Sequence, residues 1–242
     1  MIRETTALPP LPEDADAAVK IAAQVCAYGF SRPFLRVYAG EDGSVLSVLD
    51  GAATLYPGTD AEEALLFLRM SPDVHALRTD AETAKRFADS LGVPCQTGVT
   101  MEYRGDPVLS EGAETLSPRE AYPLLAAVFG DTLPPYDVWY ADVSHRLRHG
   151  LCRIAGVLEQ GQAVSCAMTV AETDSAWLLG AVATRPDCRG RGYASAVVRS
   201  LVAAGTADGK RVLISPKNEA ARALYGRLGF AVCGTWGAVR WG

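Results

Sequence analysis

No stretch of this chain has the length and unbroken apolarity of a membrane-spanning helix, and its N-terminus, Met1-Ile-Arg-Glu-Thr-Thr6, lacks the apolar core of a signal peptide. Its six cysteines (Cys26, Cys95, Cys152, Cys166, Cys188 and Cys233) include no Cys-x-x-Cys pair. In a chain without an export signal they read as reduced thiols, mostly buried in strands, and the cytoplasm is the expected compartment. Positive charge is in short supply: 23 Lys and Arg against 28 Asp and Glu leave a net charge of −5, with no general attraction to nucleic acid or anionic membrane. Two common phosphate loops are missing. A Gly-x-Gly-x-x-Gly fingerprint would need glycine where Ser195 stands, and no Gly-Lys-Ser/Thr ends a Walker loop. His145 and His149 lie one helical turn apart but have no evident third zinc ligand, so no metal is expected.

What is present is an ordinary globular composition, 49% hydrophobic and 21% charged over 242 residues, enough for one large domain or two small ones. The most informative stretch is Val182 to Ser195. An apolar run from Trp177 to Ala183 reads as a buried strand, and Ala194, Val197, Val198, Leu201 and Val202 form the stripe of an amphipathic helix. Between them Pro186, Gly190 and Gly192 break the backbone. The two glycines permit positive φ and a close approach of ligand to main chain. Arg185, Arg189 and Arg191, added to the partnerless first-turn amides of the helix, make a pocket suited to phosphate oxygens. The plainer reading is a tight strand-to-helix turn with solvated arginines.

A second motif follows about thirty residues later: Asn218-Glu-Ala-Ala-Arg-Ala-Leu-Tyr-Gly-Arg-Leu-Gly-Phe230. It reads as a short helix with Ala221, Leu224, Tyr225 and Leu228 on one face, stopped by Gly229. Arg189-x-x-Gly192-x-Ala194 resembles the acyl-CoA pyrophosphate loop of the GNAT superfamily of N-acyltransferases. The second motif resembles that superfamily's Asn-x-x-Ala-x-x-Leu-Tyr-x-x-Leu-Gly-Phe signature, matched at Asn218, Ala221, Leu224, Tyr225, Leu228, Gly229 and Phe230. The resemblance covers residues 117 to 242, with its sharp motifs between 182 and 230.

The remaining elements are legible from pattern. Helices are expected from Asp14 to Tyr28, Asp60 to Met70, Asp80 (as cap) to Leu91, Ser117 to Phe129, and Pro135 to Gly150. Ser117-Pro-Arg-Glu120 is a capping box with proline at the first helical position. Strands are expected at 34–38, 44–49, 52–56, 75–78, 95–103, 151–158, 163–171, 176–184 and 211–215, with residues 230 to 241 as a closing hairpin. Arg104 to Thr115 reads as a linker. From residue 117 onward the order is two helices, three strands, helix, strand, helix, terminal strands. That is the order of the GNAT fold, so the fold class expected is α+β (α/β), a mixed central sheet flanked by helices.

The resemblance implies acetyl-CoA as acyl donor and a small primary amine as acceptor, with the acetyl group moved directly between them. Arg189, Gly190, Arg191, Gly192, Tyr193, Ala194 and Ser195 would cradle the pyrophosphate. Main-chain groups of Val182, Ala183 and Thr184 would pair with the pantetheine arm. Tyr225 is the candidate acid for the departing thiolate; its alternative is a packed helix aromatic whose hydroxyl reaches water. Asn218 would contact the pantetheine or serve simply as a helix cap. The glutamate that many relatives carry on the strand before the loop is missing from Leu179-Gly-Ala-Val182, and Glu172 and Asp174 are expected to be solvated and too far along. Ordered water, or a group on the helices between Tyr136 and His149, is left to take the amine's proton. The competing functional class is a catalytically inert acyl-CoA-binding regulator, which could dispense with Tyr225.

The first half of the chain reads as a worn copy of the second, giving a degenerate GNAT-like domain over 1–108 without a cofactor site and a catalytic domain over 109–242. Ala84, Phe87, Leu91 and Gly92 fall where Ala221, Leu224, Leu228 and Gly229 fall. Ala81 then stands for Asn218, Ala88 for Tyr225, and Pro57 to Glu63 replaces the arginine-glycine loop. Such a tandem with one inactive half is similar to that of mycothiol synthase. The rival is an unrelated α+β domain whose element order matches by chance.

Overall fold

The computed structural model describes residues 1–106 and 112–241, and these fall into two compact units. The first holds Met1–Met101 together with the chain from Val232 onward, and the second holds Glu102–Ala231. A boundary between residues 108 and 109 lies outside the described residues.

In the first unit the order is β1 (Arg3–Glu4), α1 (Asp16–Tyr28), β2 (Leu35–Ala39), β3 (Val45–Leu49), β4 (Ala52–Tyr56), α2 (Glu62–Met70), β5 (Ala76–Thr79), α3 (Ala81–Leu91) and β6 (Cys95–Tyr103). Strands β2, β3 and β4 form an antiparallel meander whose register runs from Leu35↔Leu49 and Val45↔Tyr56. The crossover through α2 then lays β5 parallel to β4, Ala52 opposite Ala76. The signals that delimit α3 are local ones. The Asp80 carboxylate accepts from the amides of Glu82 and Thr83, and Gly92 ends the helix at φ +66°. Leu46, Leu55, Leu68, Leu77 and Phe87 fill the core beneath.

The closing hairpin expected at residues 230 to 241 is instead one unbroken strand, β12 (Phe230–Arg240). It pairs antiparallel with β5, from Gly237↔Thr79 to Arg240↔Ala76. Gly237 makes no turn. It admits α3 to the sheet, since a Cβ there would meet the Cβ of Ala84 at 2.2 Å.

The second unit runs β7 (Glu114–Thr115), α4 (Pro118–Phe129), α5 (Tyr136–Arg148), β8 (Ile154–Glu159), β9 (Gln162–Glu172), β10 (Ala176–Thr184), α6 (Tyr193–Ala207), β11 (Arg211–Ile214) and α7 (Glu219–Arg227). Strands β7 to β10 are antiparallel neighbours, and β11 lies parallel to β10 after the α6 crossover. Ser117 and Glu120 close the capping box at the start of α4. Val197, Val198, Leu201 and Val202 bury the stripe of α6, while Gly205 lets that helix approach Trp177 and Val212. Each unit is thus a mixed sheet with helices packed on it, an α+β arrangement.

Two expectations about burial are corrected. Only Cys152, Cys166 and Cys188 are buried, and of these Cys166 alone is in a strand; Cys26 is exposed on α1. Glu172 is not solvated but 4% exposed at the end of β9, paired with Arg153 and accepting from the Thr169 hydroxyl at 2.5 Å. Arg153 in turn stacks 4.0 Å from the Trp177 ring centroid, so Glu172 belongs to a structural network. No helix of the described residues is long and apolar enough to cross a membrane.

Candidate active site

The site begins with a disagreement between β10 and its neighbours. Pairing with β11 ends at Leu179↔Ile214, and beyond that point this edge of β10 has no β11 partner among the described residues. On the other side the register with β9 passes from Gly180↔Met168 to Ala183↔Cys166, which sets two residues of β10 against one of β9. Ala181, inside this bulge, has φ +49°, a conformation uncommon for a residue with a Cβ. The bulge bends β10 and frees main-chain groups for a ligand that pairs along its open edge. Val182 and Thr184 face the resulting cleft, whereas the Ala183 side chain is packed into the core.

After β10 the chain makes a short 3-10 turn, Pro186–Cys188, and enters α6 through Gly190 and Gly192. Both glycines have positive φ, +79° and +84°, and Gly192 is the N-cap of α6. A Cβ at Gly192 would meet no atom within 4 Å, so the need for glycine there is conformational rather than steric. Gly192→Ala is therefore expected to destabilise the fold by about 1–2 kcal/mol, read as a fall in Tm, with the loop otherwise retained.

The three loop arginines have different roles. Arg185 donates to Asp187 at 2.7 Å, a bond that raises the arginine's pKa and lowers that of the aspartate. Arg191 lies 3.4 Å from Glu159, whose Oε1 also accepts from the Tyr193 hydroxyl at 2.5 Å. Arg189 makes no ion pair among the described residues and reaches only the Thr184 carbonyl, at 3.4 Å. Of the three, Arg189 alone lines the cleft. Glu159 was not singled out in the sequence, since it is a lone acid at the end of β8; its place as organiser of the loop depends on the fold that brings it to Arg191 and Tyr193.

The facing wall is α7. Asn218 caps it, its Oδ1 accepting from the Ala221 amide at 2.9 Å, and its side chain also borders the cleft. About two turns on, Tyr225 is 5% exposed and lines the same cleft. Its hydroxyl makes no hydrogen bond among the described residues, and burial pushes its pKa up to about 12. At neutral pH it is a protonated donor aimed into the cleft without a partner.

The cleft enclosed by these elements has a volume of about 870 Å³. It brings together Val182, Thr184, Arg189, Gly190, Gly192, Tyr193, Ala194, Ser195, Asn218 and Tyr225, and leaves the side chains of Ala183 and Arg191 outside. It also collects residues that no sequence signal marked, notably Phe129 at the end of α4, Lys217 and Arg227. Lys217 could have been noticed beside Asn218, but Phe129 is carried into the site by a helix remote in sequence. Anion-binding donors at one helix terminus, an open strand edge and an unpartnered phenol are the parts needed to seat a phosphorylated, amide-bearing chain and stabilise a leaving group at its end. The residues present fit acetyl-CoA.

Residues 119–230 match the model of the acetyltransferase (GNAT) family. A putative GNAT-family acetyltransferase from Novosphingobium aromaticivorans has the same fold at 16% identity, covering 95% of this chain and 97% of that one, with a TM-score of 0.61. A GCN5-related N-acetyltransferase from Sphaerobacter thermophilus is 20% identical over 99% of this chain and 95% of its own, with a TM-score of 0.60. A tandem GNAT protein from the clavulanic acid biosynthesis pathway is 15% identical over 98% and 90%, with a TM-score of 0.57. No curated protein sequence matches the chain.

Proposed function

We propose, from the match of residues 119–230 to the GNAT acetyltransferase family, that the protein transfers the acetyl group of acetyl-CoA directly to a primary amine of a small molecule. The observation that carries this reading is the cleft itself. An arginine without an ion pair and a glycine loop at one helix start share it with the open edge of β10 and the unpartnered hydroxyl of Tyr225. Arg189 and the first amides of α6 would hold the pyrophosphate. The edge of β10 from Val182 to Thr184 would pair with the pantetheine amides, as an added strand does. An amide of the bulge would polarise the thioester carbonyl, and Tyr225 would donate to the sulfur as charge develops there. Thiol release from acetyl-CoA with a library of amines tests the reading. Amine-dependent release supports it, and failure of acetyl-CoA to bind defeats it.

We further propose that the first unit is a degenerate copy with no cofactor site. Its meander, crossover helix and parallel strand repeat the path of β8 to β11, with Asp80 and Asn218 both capping the helix that follows. The counterpart of Asn218 as helix cap is Asp80, one position before Ala81, because the stretch from cap to closing glycine is one residue longer at Asp80–Gly92 than at Asn218–Gly229. Where a pyrophosphate would sit, the protein has placed its own anion. The Asp42 carboxylate accepts from the Ser44 hydroxyl and amide at 2.7 and 3.0 Å and from the Ala61 amide, the N-cap of α2, at 3.2 Å. Burial pushes the Asp42 pKa up, but these donors outweigh it and hold the carboxyl below its ordinary range. One acetyl-CoA per chain is the expected stoichiometry by calorimetry. A count of two would remove the degenerate-copy proposal.

A further inference from the structure

We propose that Glu159, on a strand that lends no residue to the cleft lining, is a positioning residue for the diphosphate of the acyl donor: its carboxylate fixes the Arg189–Gly192 loop in the shape that aims the first amides of α6 at the phosphates. This rests on the acetyl-CoA reading of the cleft and adds to it a residue that stands outside the lining. Glu159 is the last residue of β8 and pairs with Gln162 of β9 across the turn Gln160-Gly161, whose φ angles are +53° and +76°. A turn with both central residues at positive φ matches the twist of the strands it joins, so the carboxylate is presented from a rigid support. The loop it meets is costly to order. Gly190 and Gly192 lose more backbone freedom than other residues would, and Gly192, the N-cap of α6, has no side chain with which to cap its own helix.

The side chains of Arg185, Cys188, Arg191 and Tyr193 all converge on Glu159. Its Oε1 accepts from the Tyr193 hydroxyl at 2.5 Å and lies 3.4 Å from Arg191 Nη1. Its Oε2 lies 3.9 Å from both Arg185 Nη2 and Cys188 Sγ. These contacts span the loop from the residue after β10 to the first residue of α6. A bare carboxylate this close to a phosphate seat would repel the ligand. Arg185 and Arg191 offset its charge, and they are the two loop arginines absent from the cleft lining. Glu159 thus sorts the arginines, engaging two and leaving Arg189 for the phosphate. The bond to Glu159 also raises the Tyr193 pKa, which keeps that phenol a donor. Donors ordered before the ligand arrives need no ordering when it binds.

The test compares three ligands on the full chain. Acetyl-CoA carries both the diphosphate and the thioester arm, ADP carries the diphosphate alone, and S-acetylpantetheine carries the arm alone. Glu159→Ala should weaken acetyl-CoA and ADP by the same factor, roughly five- to thirtyfold by calorimetry, and leave S-acetylpantetheine within about twofold by thermal shift. Glu159→Gln keeps an acceptor for the Tyr193 hydroxyl and should recover most of the loss. If the alanine variant does not fold, Tyr193→Phe removes the same bond from the helix side and should show the same split, at roughly three- to tenfold. Equal weakening of S-acetylpantetheine would mean that Glu159 only supports the fold. Unchanged or tighter binding of acetyl-CoA and ADP would mean that its carboxylate merely repels them, and either result overturns the proposal. Failure of the wild-type chain to bind acetyl-CoA would instead strike the acetyl-CoA reading.

Discussion

Tyr225→Phe is expected to lower turnover roughly ten- to a thousand-fold while leaving the KM for acetyl-CoA nearly unchanged. The asymmetry follows from when the hydroxyl acts. Charge appears on sulfur only as the carbon–sulfur bond breaks, so a donor aimed there stabilises the transition state and not the bound thioester. The buried ring stays in place in the phenylalanine variant, which makes the change one of chemistry rather than packing. The raised pKa refines the role. A phenol near pH 12 is a weaker acid than an ordinary thiol near 8.5, so complete transfer to sulfur is uphill, and the hydroxyl acts first as a hydrogen-bond donor. Its pH behaviour follows in sign. The folded pKa lies above the unfolded value of about 10, so the stability tied to the neutral phenol is intact below pH 10 and is lost as pH rises through about 12. Activity should therefore show no alkaline limb from Tyr225 below about pH 10. Full turnover by the variant, in single-turnover conditions where chemistry limits the rate, would return Tyr225 to a packing role.

Arg189→Ala should weaken acetyl-CoA binding by roughly ten- to a hundredfold, the loss of one charge-assisted contact to phosphate worth about 1.5 to 3 kcal/mol. Arg189 is exposed at the rim, so the effect should shrink as salt rises. Arg191→Ala supplies the comparison. Its guanidinium is already engaged by Glu159 and lies outside the cleft lining, and its loss should cost less than that of Arg189. Calorimetry on both variants decides the matter: equal affinity for Arg189→Ala and wild type, or a larger loss at Arg191, would overturn the assignment of the cradle.

Sequence alone was enough for features whose causes lie within a few residues. The capping box at Ser117 and Glu120, the caps at Asp80 and Asn218, the αL glycine at 92 and the buried stripe of α6 are all i to i+4 relations, and each appears where the pattern puts it. The cleft lining was legible in the same way along Val182 to Ser195, because a strand, two glycines and a helix start are contiguous there. Tertiary structure decided which of those residues are available. Three arginines look alike in sequence, yet Asp187 and Glu159 engage two of them and leave Arg189. Glu172 reads as a turn acid until Arg153, 19 residues away, is folded against it. Residues 230 to 241 read as a hairpin and form one strand to Arg240, because a strand's own pattern records which faces are buried but not which neighbour supplies its hydrogen bonds. That neighbour is β5, more than 150 positions earlier in the chain, and only the assembled sheet selects it.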